Sequence, residues 1–444
     1  VAELRRTELS VKQEKAVLVG VILPDSSADP RDPLGELASL AKTAGAKVVG
    51  TLLQNRHSPD SGLYIGSGKA KEIARLCMQH DADVVLFDND LSPAQIGGLE
   101  KVINEEAGSK PSAGIKVLDR SELILDIFAT RARTAEAKLQ VELAQMQYTY
   151  PRLTKMWGHL DSLTGGGIGT RGPGETQLET DRRLVRKRIS VLKDDIAKVQ
   201  ERKTRQVYER NRQHFTVCVV GYTNAGKSTL FNTLTSAGTY ADDKLFATLD
   251  TKTRAWKLEK GTDVLLSDTV GFVRDLPHNL VASFKATLEE AVHADLLLHV
   301  LDVGHPRAQV QYETVHSVLA EIGAKDKPEL LLLNKIDTDA GERELHTWKA
   351  LHPGAIGISA LTGRGLAALV EGVYGFVRGQ QVIAELVVPS TNGRLISYLE
   401  SHTRVQSREF NETTTVFEVV VGKRTLAELS RNEDVEIRSA RDAI

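Results

Sequence analysis

Residues 221–228 read GYTNAGKS, two glycines flanking four other residues and then a lysine and a serine. The spacing fits the phosphate-binding pattern G-x-x-x-x-G-K-[ST]. Gly221 and Gly226 permit turns that aim the backbone amides of Tyr222, Thr223, Asn224 and Ala225 inward, and Thr229 continues a helix whose N-terminal end is positive. Lys227 reaches the β- and γ-phosphates, and the Ser228 hydroxyl is a Mg²⁺ ligand. A chance glycine-rich turn is the plainer account, but an apolar run before the loop and helix-forming residues after it supply the context the motif requires.

Further along, residues 268–271 read DTVG. Asp268 can hold Mg²⁺ through water, and Gly271 lets its amide approach a γ-phosphate. Residues 334–337 read NKID, followed by Ser359 and Ala360. Asn334, Lys335, Asp337, Ser359 and Ala360 are expected to bind the nucleotide, with Asp337 reading the base. A carboxylate at Asp337 accepts from guanine N1–H and N2–H₂, whereas adenine leaves it unpaired, and sites of this kind discriminate by ~10⁴ or more. The expected ligands are therefore GTP and GDP rather than ATP. Thr248 is the expected switch threonine for Mg²⁺ and the γ-phosphate, with Thr251 its competitor. This gives Lys227, Asn224, Thr248 and Gly271 as the catalytic set and Ser228, Thr248 and Asp268 as the metal set.

Such a site needs a parallel sheet to carry it. Apolar runs at Val217–Val220, Val264–Asp268, Leu296–Asp302, Leu330–Asp337 and Ile356–Ser359, with a strand near Arg254–Leu258, predict one over residues 214–378. Upstream, Val17–Leu23, Val48–Leu53, Val84–Phe87 and Ile115–Leu118 alternate with helical stretches at Leu34–Ala44, Ala70–His80 and Pro93–Glu106, a second small parallel sheet over 1–118. Within it Gly66, Gly68 and Lys69 form a weak anion-binding signal that a tight turn explains as well.

Over 119–213 the pattern changes. Phe128, Ala132, Ala135, Leu139, Leu143 and Met146 recur at helical spacing, as do Leu178, Val185, Ile189, Leu192, Ile196 and Val199, predicting two long helices packed as an antiparallel hairpin. Residues 163–174, LTGGGIGTRGPG, break the helix between them. Arg182, Arg183, Arg186, Lys187 and Arg188 follow close behind. A charge run is usually a solvated face, but a basic helix beside a pliable tip also suits nucleic-acid phosphates, with Tyr148, Tyr150 and Trp157 available for stacking or for packing the hairpin's base. Residues 379–444 predict a small α+β domain, with strands at Val382–Val388 and Thr415–Val421 and no catalytic constellation.

The 444 residues exceed what one core normally holds. Lys+Arg 57 against Asp+Glu 59 leaves no global charge to name a partner. The two cysteines, Cys77 and Cys218, are expected to be buried thiols rather than a disulfide or a metal site. Apolar runs too short for a bilayer, and no signal segment, lead to an expected cytoplasmic monomer without stable membrane insertion.

GYTNAGKSTLFN, FATLDT, DTVGFVRDLPHNLVASFKATLEEA, NKID, FDNDLSPAQ and GGGIGTRGPGETQLETDRR together resemble the HflX family of ribosome-associated GTPases. The glycine-rich tip is the most family-specific of these, since the nucleotide boxes occur in many GTPases. The resemblance implies a multidomain α/β chain: an N-terminal parallel-sheet domain, a helical hairpin with a glycine-rich loop, a P-loop GTPase domain and a small C-terminal domain. It implies binding to the large ribosomal subunit, with ribosomal RNA met by the hairpin tip and basic helix, a ribosome-splitting or rescue role under stress, and hydrolysis stimulated by the ribosome. Similarity to other GTPases with asparagine in the phosphate loop implies a K⁺ site at Asn224.

Phe272 stands where many small GTPases place a water-orienting glutamine, so slow hydrolysis by the isolated chain is expected. The alternatives are a GTPase acting on a protein or membrane-associated client, and an added ATP-dependent RNA-remodelling activity in the N-terminal domain.

Overall fold

The computed structural model of the chain describes residues 14–24, 29, 31–108, 114–152, 173–235, 252–258, 263–274 and 288–442. Two compact units form. The first gathers Val1–Glu201, Asp242–Asp250 and Val270–Thr287, and the second gathers Arg202–Ala241, Thr251–Thr269 and Leu288–Ile444.

The first unit is built on four parallel strands, β1 (Lys15–Ile22), β2 (Lys47–Asn55), β3 (Val84–Phe87) and β4 (Lys116–Leu118), in the order β2-β1-β3-β4. Helices α1 (Gly35–Ala44), α2 (Ser67–His80) and α3 (Pro93–Ala107) connect them. β1 and β3 read as unbroken apolar runs because helices cover both sheet faces, and Val17, Val19, Val85 and Phe87 are fully buried. α3 starts at a capping box in which Ser92 and Gln95 satisfy each other's backbone amides. Gln95 also donates from Nε2 to the Asp60 carbonyl at 2.8 Å, tying α3 to the turn before α2.

Three further helices follow: α4 (Arg120–Arg131), α5 (Ala135–Thr149) and α6 (Pro173–Gln213), the last 41 residues long. The first arm of the expected hairpin is therefore two helices rather than one. Ala132 turns to φ −64°, ψ 111°. The Thr134 hydroxyl then accepts from the Ala137 amide at 3.1 Å and starts a new helix. The packing of the arms is as the stripes predict, with Leu139, Leu143 and Met146 of α5 clustered against Ile189, Leu192 and Ile196 of α6. The glycine-rich tip and Trp157 lie outside the described residues.

The second unit holds a six-stranded sheet of β5 (Phe215–Gly221), β6 (Lys252–Lys257), β7 (Asp263–Asp268), β8 (Leu296–Asp302), β9 (Glu329–Asn334) and β10 (Ile356–Gly357). Its order is β10-β9-β8-β5-β7-β6, parallel except for β6, which runs antiparallel to β7. Helices α7 (Lys227–Thr235), α8 (Ala308–Glu321), α9 (Asp339–Leu351) and α10 (Leu366–Gly379) accompany it. One core layer joins Val219, Leu266, Leu298 and Val300 to Phe231 and Leu369, and another joins Leu301 and Leu333 to Trp348.

The C-terminal residues of this unit add an antiparallel sheet of β11 (Gln381–Pro389), β12 (Arg404–Phe410), β13 (Thr414–Gly422) and β14 (Glu436–Asp442), ordered β12-β13-β11-β14. Helices α11 (Gly393–His402) and α12 (Lys423–Leu429) belong to it, and Leu386, Leu399 and Phe417 centre its separate core. Both cysteines are buried free thiols.

Candidate nucleotide-binding site

β5 runs from the sheet straight into the 221–228 loop, at the carboxyl edge where parallel sheets place ligands. Gly221 has φ +148°, and a Cβ there would stand 2.3 Å from the Val300 carbonyl oxygen of β8, so no other residue fits. Gly226 has φ +98°, with a would-be Cβ 2.2 Å from Asn334 Nδ2. Between them Asn224 is exposed and left-handed at φ +61°, a conformation asparagine tolerates better than most residues.

Lys227 opens α7 with its side chain buried, and Nζ donates to the Tyr222 carbonyl at 2.7 Å. The ammonium thus points back over the loop where phosphate oxygens would compete for it. Burial pushes its pKa down to about 8, against the opposing pull of Asp268. Ser228 Oγ donates to Asp268 Oδ2 at 3.0 Å, which sets a hydroxyl oxygen and a carboxylate side by side. An all-oxygen pair of this kind fits a hard cation such as Mg²⁺. Thr269 locks the end of β7 by donating to the Val219 carbonyl at 2.7 Å. The buried Thr223 hydroxyl has no hydrogen-bond partner among the described residues.

Asn334, only 2% exposed, joins three loops. Its Nδ2 donates to the Ala225 carbonyl at 2.7 Å, and its Oδ1 accepts from the Ala360 amide at 3.0 Å. The phosphate loop and the 359–360 loop are thereby fixed to the end of β9. Lys335 turns left-handed at φ +64° and its Nζ pairs with Asp302 at 2.7 Å. Asp337 stands exposed just beyond, with Thr338 capping α9. Ser359 is fully buried, its Oγ accepting from the Thr362 amide at 3.1 Å. So Tyr222, Thr223, Asn224, Ala225, Lys227, Ser228, Asp268, Asn334, Asp337, Ser359 and Ala360 converge at one end of one sheet. Thr248 and Thr251 lie outside the described residues. Gly271 is buried, and the described residues 270–274 around it cluster with the first unit.

That segment carries residues which motif reading missed. Arg120, at 1% side-chain exposure, donates to Asp88 Oδ1 and to Glu36 Oε1, each at 2.7 Å, and to the Arg274 carbonyl at 3.2 Å. Arg274 Nη2 donates to Asp88 Oδ2 at 2.6 Å, and its Nε is 3.8 Å from Glu36. Two buried guanidinium groups and two carboxylates thus hold the residue three places after Gly271. The acid of FDND at the end of β3 was the available signal, but nothing local tied it to position 274.

Two readings that the sequence left open acquire local contacts. In the 64–69 loop Lys69 pairs with Glu72 at 2.7 Å, and Tyr64 exchanges backbone hydrogen bonds with Asp60, which is a turn held by its own contacts. Tyr148 is not a free stacking platform. Its hydroxyl donates to the buried Asp119 at 2.7 Å while Arg152 covers its ring at 3.3 Å. In the basic helix Arg188 makes a two-pronged pair with Glu142 and Arg186 bonds Tyr150, and both are exposed, as are Arg183 and Lys187.

Known proteins match along the chain. Residues 31–129 match the family model described as GTP-binding GTPase N-terminal, 131–210 the GTP-binding GTPase Middle Region, and 216–335 the 50S ribosome-binding GTPase. "GTPase HflX" of Caldanaerobacter subterraneus is 42% identical over 91% of this chain and 90% of its own length. "GTPase HflX" of Lacrimispora saccharolytica is 41% identical over 96% of this chain and 98% of its own, and that of Escherichia coli is 44% identical over 86% and 88%. Among the described residues no helix is long and apolar enough to cross a membrane. Similarity of this depth over more than nine-tenths of the chain makes it a GTPase and a member of the HflX family.

Proposed function

We propose that the chain is a GTP-driven switch in the cytoplasm that engages the large ribosomal subunit as a monomer and splits or rescues stalled ribosomes, with hydrolysis stimulated by that partner. The observation that carries the nucleotide half is Asn334, which bridges the phosphate loop and the 359–360 loop and leaves Asp337 exposed beside them. The ribosomal half is supported by the family model matched over 216–335, described as 50S ribosome-binding GTPase. In this reading 1–118, 119–213, 214–378 and 379–444 act as the N-terminal, hairpin, GTPase and C-terminal segments.

The amides of 222–226 and the Lys227 ammonium hold the phosphates, Thr229 extends the helix behind them, and Asp337 reads guanine with Lys335, Ser359 and Ala360 shaping the base pocket. Ser228 and Asp268, with Thr248, hold Mg²⁺, which when bound neutralises phosphate charge. Asn224 offers its oxygen to K⁺. Gly271 reports the γ-phosphate. Phe272, 2% exposed and unable to hydrogen-bond through its side chain, cannot orient water, which leaves that step to the partner. The exposed Arg183 and Lys187, next to the 164–174 tip, are the expected contacts with RNA phosphates.

Sedimentation with ribosomal subunits under GTP, GDP and a non-hydrolysable analogue tests the switch, because only the triphosphate favours the ordered state. Equal co-sedimentation in all three refutes it. Shortening 164–174 should abolish ribosome action while leaving GTP binding intact. No change would favour a protein or membrane-associated client instead.

A further inference from the structure

On the α8 side of the nucleotide sheet, away from the residues discussed above, three ligand-type side chains converge. His299 of β8, Glu329 at the start of β9 and His316 of α8 place one ligand atom each within 4.8 Å of one another. His299 Nδ1 and Glu329 Oε1 are 2.8 Å apart, and His316 Nε2 is 3.5 Å from the same oxygen. His316 Nε2 is buried and makes no hydrogen bond among the described residues.

The strand register explains the placement. Leu297 pairs with Glu329 and His299 with Leu331, so His299 and Glu329 project diagonally from the same sheet face. Tyr312, one helical turn before His316, stacks on the His299 ring at 5.3 Å and meets the His316 ring edge-on at 4.4 Å. The imidazoles are thereby held in orientation by packing.

We propose that His299, His316 and Glu329 form a binding site for a divalent transition-metal ion of the zinc class, with solvent supplying the remaining ligand. Two imidazole nitrogens and a carboxylate are a donor set zinc accepts. Tetrahedral bonds of ~2.0–2.1 Å require ligand atoms ~3.3–3.4 Å apart. The His299–Glu329 and His316–Glu329 separations of 2.8 and 3.5 Å bracket that value. Only the distance between the two nitrogens has to close. The side chains of His316 and Glu329 are 38% and 21% exposed, which gives an ion its entry path, while His299 is fully enclosed.

To hold an ion His299 would offer the Nδ1 lone pair, as the neutral ring protonated on Nε2. The site joins α8 to β8 and β9, and His299 pairs directly with Val220, the last residue before the phosphate loop's first glycine. An ion here would brace the strand neighbouring that loop.

The test uses the full chain, stripped of metal with a chelator, then saturated with GDP and Mg²⁺ so that Ser228 and Asp268 are occupied. Zn²⁺ is titrated by calorimetry, and Co²⁺ by its visible absorption as a report of coordination number. The expected result is one equivalent bound, with tetrahedral-type Co²⁺ absorption. Affinity should fall by ~100-fold or more in both His316→Ala and Glu329→Gln. His352→Ala, which removes a ring beside Tyr312 but no ligand, should bind as the parent does. His316 lies on the helix surface, so its truncation keeps the test informative even if Glu329→Gln impairs folding. Absence of stoichiometric binding, or binding that survives His316→Ala unchanged, overturns the proposal.

Discussion

Replacing Asn334 with alanine should uncouple nucleotide affinity from the rest of the fold. The side chain is 2% exposed and makes two hydrogen bonds, 2.7 Å to the Ala225 carbonyl and 3.0 Å to the Ala360 amide. Truncation leaves a buried acceptor and a buried donor without partners, at ~1–3 kcal/mol each. Partial relaxation of the two loops puts the sum at ~2–4 kcal/mol, or about 30- to 1000-fold in an equilibrium constant. Most of it should appear as lost affinity, because the freed loops are those that hold phosphate and base. Fluorescence titration with a labelled GDP measures this, and urea unfolding measures the share that appears as stability. Asn392→Ala is the matched control. That side chain caps α11 in the C-terminal sheet by accepting from the Leu395 amide at 3.1 Å, so its loss should lower stability by ~1 kcal/mol and leave affinity alone. An Asn334→Ala protein that binds GDP within threefold of the parent would falsify the bridging role.

Lys227, with its pKa held down to about 8 by burial, should regain its proton when phosphate arrives. At pH 8.5 triphosphate binding should therefore take up protons, seen as calorimetric heats that change with the buffer's ionisation enthalpy, and affinity should fall as pH rises through 8. In the nucleotide-free chain the sign is opposite for stability. The folded-state pKa lies below the unfolded value, so the charged lysine is a penalty below pH 8 that is relieved between about 8 and 10.5. Buffer-independent heats at pH 8.5 would remove Lys227 from the phosphate site. Arg274→Ala should cost ~3 kcal/mol of stability by removing its ion pairs with the buried Asp88 and with Glu36, and a urea midpoint unchanged from the parent contradicts the buried cluster. Hydrolysis in K⁺ buffer should exceed that in Na⁺ and lose this preference in Asn224→Ala, whereas equal rates in both salts for the parent exclude the cation site.

Much of the nucleotide site was legible because its parts are local. Gly221, Gly226, Lys227 and Ser228 must follow one another at fixed spacing to build a phosphate cradle, and the strand and helix on either side carry their own periodicity. Asn334 was found by its motif, and the structure adds a task the motif did not announce: it is the bolt between a loop 109 residues before it and another 26 residues after it. The helix break at Ala132 was hidden because Phe128 and Leu143 keep helical phase across it, and only the Thr134 cap marks the stop. β12 and β14 were missed because RVQSREF and EIRSARD are the edges of their sheet and are almost wholly exposed, so they carry charges where inner strands carry valines. The Glu36–Asp88–Arg120–Arg274 cluster offered only the acid of FDND, with nothing local to tie it to positions 36, 120 and 274, since its members meet only after folding.

The affiliation of residues 270–287 with the first unit has a practical corollary for anyone dissecting this chain. A gene fragment starting at residue 214 would contain every nucleotide-binding motif, yet it would express Arg274 without its buried ion-pair partners Glu36 and Asp88 and without Arg120, three residues after Gly271. Catalytic rates measured on such a fragment therefore describe a different molecule. Chimaeras that exchange the N-terminal half with another member should transplant positions 36, 88, 120 and 274 as a set.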